Sequence, residues 1–443
     1  MTMLPLWWPQ SEAELSEGVA NRSGTPLAVR LGGPLITSLA DELREALGET
    51  SWHFLVGGWT DPILASLPAS SRELQITREI EELTALGLTS LIGFVPFGWE
   101  SELATLFSNH GISQVAVGAT TALAEPVITD RLGDVVTVLP LLNSPPSVVA
   151  VVRHPARSHP PTDRSWAEEL NHHPEAALLY RKMLRLANRL PERPPAEAAE
   201  LLMDAQAAHW YTGEIDRSSA HAALINARRR IDQERRVPPD WTKVTQLDWD
   251  ADGTIEAHLE NRDVSMVVDP GEGFIKTVDL KAEGHPLSYI PGEPPWRIAR
   301  VLSDGKPVRL SLELEAVEES RDQITVRMTR EGLIVALVVK NTEVTFDFIT
   351  GEAFDYQRIG PEMGLALNRS VRMRVDGGSW TTIDEPAAHP GHRFRFDDGR
   401  RQVLISLVQP GDLFVTRTAG GVIAWANWPV RAGEFRMIVS LTG

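Results

Sequence analysis

Short, unbroken apolar runs recur through residues 1–165: Leu27–Leu31, Phe54–Gly57, Leu91–Val95, Gln114–Gly118, Val135–Leu141 and Val148–Val152. Continuous apolar character suits strands covered on both faces, as in a parallel sheet. Between the runs lie amphipathic stretches. Leu35, Leu39, Leu43 and Leu47 recur every four residues, and Leu74, Ile76, Ile80 and Leu83 form a second stripe. Ser70 or Ser71 is placed to cap that second helix, with Glu73 in its first turn. Strand–helix–strand alternation of this kind predicts a parallel α/β layer or a β/α barrel.

From 166 to 237 the pattern is helical only. Leu178, Leu179, Met183, Leu186 and Leu190 make one stripe and Leu201, Leu202, Ala205 and Ala208 another. A third helix, Ala222–Ile231, ends in Arg228–Arg230, where cations suit a helix C-terminus. Val237-Pro238-Pro239 marks a boundary. Beyond it, over 240–443, apolar and polar residues alternate: Ile324, Val326, Met328; Val344, Phe346, Phe348; Val371, Met373, Val375. Asp252-Gly253, Asp304-Gly305, Asp376-Gly377 and Asp398-Gly399 supply the turns. This region reads as an antiparallel β-sandwich. The chain thus divides into three parts: α/β over 1–165, a helical region over 166–237 packed on it, and an all-β domain over 240–443.

Composition narrows the function. The chain has 443 residues, 43 basic and 60 acidic side chains and a net charge of −17. Nucleic-acid binding, which needs a concentrated positive face, is disfavoured, as is an electrostatic hold on an anionic membrane. No apolar run approaches the ~20 residues that cross a bilayer. Met1 to Gln10 is apolar but short and lacks Lys and Arg, unlike a secretory signal. With 0 Cys, disulfides, thiolate metal sites and cysteine nucleophiles are excluded. These features together predict a soluble cytoplasmic protein. The 13 Trp against 4 Tyr put an unusual share of the aromatic surface into rings that suit both cores and sugar faces.

The chemistry concentrates after two of the predicted strands. Gly57-Gly58-Trp59-Thr60-Asp61-Pro62-Ile63-Leu64 follows one, and Pro96-Phe97-Gly98-Trp99-Glu100-Ser101-Glu102-Leu103 follows another, before Gly111-Ile112-Ser113-Gln114. Loops at such strand ends are where parallel α/β folds carry functional groups. This order and spacing resemble family 57 of the glycoside hydrolases, the α-amylase and 4-α-glucanotransferase type. Further stretches carry the resemblance. They are Arg30–Ile36, His173-Pro174-Glu175 to Leu184, Ala205-Gln206 with Trp210, Phe274–Lys281, and Ile359-Gly360-Pro361-Glu362-Met363. It spans most of the chain, with large deletions. It implies an incomplete β/α barrel, a helical region and a C-terminal β-sandwich.

The resemblance also shows what is lacking. Retaining glycoside cleavage needs two carboxyl groups about 5–5.5 Å apart, one attacking and one donating a proton. The family nucleophile, a Glu three residues before the Trp of the second loop, falls at Pro96. Its acid, an Asp after a later strand, falls near His154, in Arg153-His154-Pro155-Ala156. The family's opening strand with its His-Gln-Pro contacts is expected to be missing, since the first histidine is His53. The Glu of the glycine-pair loop becomes Asp61. Glu100 lies past the Trp, where a first-turn carboxylate would complement a helix dipole.

The reading is therefore a catalytically inactive relative with no catalytic residue, no cofactor and no metal. Its partners would be an α-glucan such as glycogen or maltodextrin, or an enzyme that metabolises one. Trp59, Trp99 and Trp210 are the sugar-stacking candidates, and Asp61 and Glu100 the hydroxyl-binding ones. Two alternatives stand beside it. One is an active glucanotransferase or amylase that recruits Asp61 with Glu100; the other is a protein-interaction scaffold. His154, His159, His172 and His173 crowd one stretch but lack helical ligand spacing and read as a polar loop. No phosphate loop, dinucleotide fingerprint or serine-hydrolase elbow occurs.

Overall fold

The structure is a computed structural model. It describes residues 6–7, 9, 11–22, 27–60, 62–95, 100–112, 114–117, 128–129, 136–140, 170, 172–191, 193–211, 215–249, 254–303, 305–308, 310–354, 356–368, 370–430 and 433–442. They fall into two compact units: residues 1–193 with 199–215, and 194–198 with 216–443.

The first unit is built on a sheet of β1 (Leu6–Trp7), β2 (Ala28–Arg30), β3 (His53–Val56), β4 (Leu91–Val95), β5 (Gln114–Val117), β6 (Ile128–Thr129) and β7 (Val136–Pro140). Its spatial order is β1-β2-β3-β4-β5-β7-β6. Every pairing is parallel except β6 with β7. The apolar runs form these strands because both faces are covered. Val29, Phe54, Val56, Ile92 and Val95 are all buried. The sheet opens with a short strand, Leu6 and Trp7 pairing in parallel with Ala28 and Val29. The run Val148–Val152 lies outside the described residues.

The helices of this unit are α1 (Glu12–Arg22), α2 (Gly33–Ser38), α3 (Asp41–Gly48), α4 (Ala69–Ala85), α5 (Ser101–Asn109) and α6 (Pro174–Ala187), with most of α7 (Ala196–Ala205). The four leucines from Leu35 to Leu47 do not share one helix. The chain leaves the helical conformation at Leu39 and Ala40. There the Ala40 N–H donates to the Glu12 carboxylate, 2.7 Å, instead of to a helical carbonyl. Helix α4 starts on Pro68, so Ser70 and Ser71 sit inside its first turn and cap nothing. Tyr180 on α6 donates its hydroxyl proton to the Ser66 carbonyl, 2.6 Å, which ties that helix to the loop after β3.

The second unit begins with α8 (Ser218–Glu234) and continues in strands: β8 (Thr242–Leu247), β9 (Glu256–Asn261), β10 (Val264–Asp269), β11 (Phe274–Leu280), β12 (His285–Pro286), β13 (Trp296–Ser303), β14 (Lys306–Val308), β15 (Glu313–Glu319), β16 (Ile324–Arg330), β17 (Leu333–Lys340), β18 (Glu343–Thr350), β19 (Arg358–Leu365), β20 (Arg372–Val375), β21 (Thr381–Thr382), β22 (Ala387–Asp397), β23 (Gln402–Arg417), β24 (Val422–Pro429) and β25 (Gly433–Thr442). Their pairings are antiparallel throughout and make one large, nearly closed sheet. Two of its edge strands, β8 and β15, meet through side chains, the Val244 N–H donating to Glu319 at 3.0 Å. Strand β23 changes neighbours midway. Gln402–Leu407 pairs with β25, and Asp412–Arg417 pairs with β24. The alternating residues point inward as their period requires: Ile324, Val326, Met328, Val344, Phe346 and Phe348 are all at most 1 % exposed.

One strand departs from that alternation. In β9, Ala257 and Leu259 join the core, yet Glu256, His258 and Glu260 on the opposite face are buried too. Glu260 finds its partners in helix α8 and in Lys281, while Glu256 accepts the Trp249 N–H and faces Lys276, 3.8 Å away, and His258 lies 2.9 Å from Ser265. Lys281 lies 3.0 Å from Asp232 and 3.2 Å from Glu260, and the Arg228 Nε lies 3.0 Å and 3.2 Å from the same two carboxylates. Burial pushes the Glu260 carboxyl up, but Lys281, His258 and Arg228 outweigh it and hold the group at about 2. The arginines at the end of this helix therefore include an internal ion-pair partner as well as solvated ones.

His285 gives the fold a pH dependence of known sign. Burial first, and then the nearby Arg401 charge, lower it to about 4, and its Nε2 is 2.8 Å from the Ala366 carbonyl. Between its ordinary value near 6.5 and about 4, the unfolded chain takes up a proton that the folded chain refuses. Its contribution is present above the upper value and lost as pH falls through that window, by roughly 2–3 kcal/mol. Glu260 contributes in a lower window, from about 4.5 down to about 2. The urea midpoint is expected to fall on acidification from pH 6.5 to 4.5, and His285→Gln should flatten that slope. An unchanged slope in the variant would assign the loss to other groups.

Candidate functional site

The carboxyl rim of the parallel sheet is where α/β folds place ligands. Strands β2, β3 and β4 end there at Arg30, Val56 and Val95. The loop after β3 is shaped by a fully buried ion pair. Arg30 on β2 reaches Glu79 on α4, both side chains 0 % exposed. The Arg30 guanidinium also donates to the carbonyls of Leu55, 2.9 Å, and Gly58, 2.6 Å. The second Glu79 oxygen accepts the N–H groups of Gly57, 3.0 Å, and Gly58, 2.7 Å. The glycine pair is needed for this approach. A Cβ on Gly57 would sit 2.9 Å from the Phe94 carbonyl oxygen, and Gly58 has φ of 106° with Pro62 only 2.7 Å from any added Cβ.

Two residues on, a polar cluster continues inward. The Thr60 N–H donates to Gln75 Oε1, 3.0 Å, and its hydroxyl to the Met203 carbonyl, 2.7 Å. Gln75 Nε2 donates to Gln206 Oε1, 2.9 Å, so α4 and the end of α7 meet the loop through three side chains. The Gln206 side chain is 1 % exposed, and its Nε2 has no hydrogen-bond partner among the described residues. Ser71, Gln75 and Glu79 thus form the inward row of α4, beside Ile76 and Leu83, while Leu74 and Ile80 lie only partly buried.

Trp59 is a packing residue. It is 8 % exposed, a Cβ on Gly33 would lie 2.5 Å from its ring, and the Arg78 guanidinium stands 5.3 Å from its centroid. A ring so enclosed has no face for a sugar, which corrects its assignment as a stacking residue. Glu100 is exposed at the N-cap of α5, and its carboxylate takes a 2.9 Å contact from Arg72. Arg72 also donates to the carbonyls of Ala65 and Leu67, both 2.8 Å, and so pins the loop after β3. Trp210 lies half-buried in a 3-10 turn, Ala208–Tyr211. Its indole N–H donates to the Asp204 carbonyl, 2.9 Å, and its ring packs on His209, centroids 4.3 Å apart. Asp61, Pro96, Trp99 and His154 lie outside the described residues, as does His159. His172 and His173 pack edge to face, 4.9 Å apart. Among the described residues no group of three or more metal-capable side chains exists.

Among the described residues, Glu79 is the carboxylate held deep in this rim; both its oxygens are engaged, and its charge is matched by Arg30. It holds backbone and is unsuited to attack a glycosidic carbon. The sequence signal for it was present: Arg30 interrupts an apolar strand, and Ser71, Gln75 and Glu79 recur every four residues along α4.

Comparison with known proteins agrees on architecture. The chain is similar to the crystal structure of a 4-α-glucanotransferase from Thermococcus litoralis, with a TM-score of 0.71, 14 % identity and 100 % of each chain covered. Partial likenesses include a putative mutarotase from Salmonella typhimurium, with a TM-score of 0.36, 8 % identity, 45 % of this chain and 93 % of that one. No family model matches the sequence, and no curated protein does. At 14 % identity the first likeness establishes a glucanotransferase-like fold.

Removing one partner of the buried pair strands the other charge, which costs about 3–5 kcal/mol. Arg30→Met and Glu79→Gln should each lose that much by urea denaturation, and the double variant should lose clearly less than the sum. Additive losses in that cycle would mean the two side chains do not act together.

Proposed function

We propose that the protein is a non-catalytic relative of α-glucan-acting glycoside hydrolases that binds glycogen- or maltodextrin-type chains. In this reading the first unit derives from a β/α barrel and the second from the sandwich domain of a glucanotransferase. The observation that carries it is the residue after β4. That strand ends at Val95, and the next position, where the resemblance puts the nucleophile, is Pro96, an imino acid with no ionisable group. Three further features support it. The acid position falls near His154; Glu79 is committed to Arg30; and Glu100 is committed to Arg72. A chain without either carboxylate loses several orders of magnitude in rate. Binding requires less, and Asp61, Trp99, Glu100 and Trp210 are the side chains assigned to it. No helix among the described residues is long and apolar enough to cross a membrane. A chain without cysteine suits the reducing cytoplasm, the compartment of storage-glucan metabolism.

Incubation with maltoheptaose at high protein concentration should leave its size distribution unchanged, while migration in a glycogen-containing native gel should be retarded. Transfer products that disappear in Asp61→Asn or Glu100→Gln would instead establish an enzyme with substitute carboxylates. Unretarded migration would count against glucan binding and favour an interaction scaffold.

A further inference from the structure

Strands β20 and β22 gather positive charge on one face. Val371, Met373, Phe394 and Phe396 belong to the core, so strand alternation turns Arg372, Arg374, Arg393 and Arg395 to the outer face. Arg374 stands directly opposite Arg395, and Arg372 directly opposite Asp397. Arg372 and Arg393 are exposed, while Arg374 and Arg395 are half-buried. On the other side of β20, Trp380 immediately precedes β21. The centroid of its ring lies 4.9 Å from the Arg374 guanidinium and 5.4 Å from that of Arg372.

The charge on this face is not compensated. Among the described residues only Arg372 of the four has a carboxylate within ion-pair distance, Asp397 at 3.9 Å. The acids beside the row serve the main chain instead. Asp376 accepts the N–H groups of His392, 3.1 Å, and Arg393, 2.8 Å, and Asp397 accepts that of Gly399, 2.8 Å. Like charges directly opposite each other destabilise a strand pair. A chain of net charge −17 has acids to spare, yet among the described residues none answers Arg374, Arg393 or Arg395. Trp380 holds two of the guanidiniums by cation–π contact and limits their rotamer freedom, so less order remains to be imposed when a ligand binds.

We propose that this face is a site for a phosphate dianion, free or as the monoester of a sugar, centred on Arg374 and Arg395. Residues directly opposite in an antiparallel pair have Cβ atoms about 5 Å apart, so both guanidiniums can reach one tetrahedral group. Charge selects the ligand class. A carboxylate carries a single charge and is satisfied by one bidentate arginine. A phosphate monoester carries about −1.5 to −2 at pH 7 and has three strong acceptor oxygens, enough to answer two guanidiniums and cancel their repulsion. A nucleic acid would need a longer positive track. The row instead runs on from Arg395 to Leu404, Ser440 and Glu343. The site lies wholly in the second unit and does not depend on the α-glucan reading.

The test is calorimetric titration with inorganic phosphate, glucose 6-phosphate and glucose at constant ionic strength, for the natural chain, Arg374→Gln and Arg395→Gln. Phosphate and glucose 6-phosphate should bind, and glucose should not compete with them. Each variant should weaken both about ten- to a hundredfold, the loss of one charge-assisted hydrogen bond. Without phosphate, Arg395→Gln should keep or raise the melting temperature because it relieves like-charge repulsion, whereas a merely structural role predicts a fall. Tighter binding of glucose 6-phosphate identifies a sugar ester as the ligand and equal binding the free ion; either result supports the site. It is overturned if the natural chain binds neither compound, or if both variants bind them as well as the natural chain does. Single-stranded RNA that binds and is displaced by neither compound would also overturn it. None of these outcomes bears on retardation in glycogen gels, so this site and the glucan reading fail separately.

Discussion

The first unit depends on one desolvated ion pair. Arg30 and Glu79 are both removed from water, and such a pair is tolerable only when every remaining donor and lone pair is also engaged. Here each is. The arginine takes carbonyls from β3 and its following loop, and the glutamate takes two successive N–H groups of the glycine pair. Two strands, one helix and a glycine turn are thereby fixed to each other at the edge where function is expected. The glycines follow from this constraint, since no side chain fits where Glu79 must approach the backbone and Phe94 and Pro62 close in.

The second unit meets the same physical problem on a larger scale. Its strand β9 buries carboxylates on the face that alternation would give to solvent, and α8 brings Arg228 and Asp232 to that face. Lys281 completes the set, and the surplus positive charge around Glu260 is why that carboxyl stays ionised in spite of its burial. In both units these buried charges tie backbone to helix.

At the carboxyl rim of the first unit, the described carboxylates Glu79 and Glu100 are each answered by an arginine, one pair wholly buried and one exposed. Trp59 is consumed by packing against Gly33, whereas Phe414 is 38 % exposed and stacks on Trp425.

Much of the architecture was legible in the chain. Period-two alternation placed Ile324, Val326 and Met328 inward, and unbroken apolar runs marked strands β2 to β5, because burial on one or both faces writes itself directly into residue order. Pro96, directly after the run Leu91–Val95, is likewise a fact of the sequence. Tertiary structure alone decided which side chains meet. Leucines spaced by four looked like one helix until Glu12 drew away the Ala40 N–H. Serines before a stripe looked like caps until Pro68 took that position. A conspicuous tryptophan became core, and an inconspicuous arginine became the anchor of the rim. Periodicity reports which face is buried; only the fold reports what it is buried against, and for charged and aromatic groups that partner determines the role.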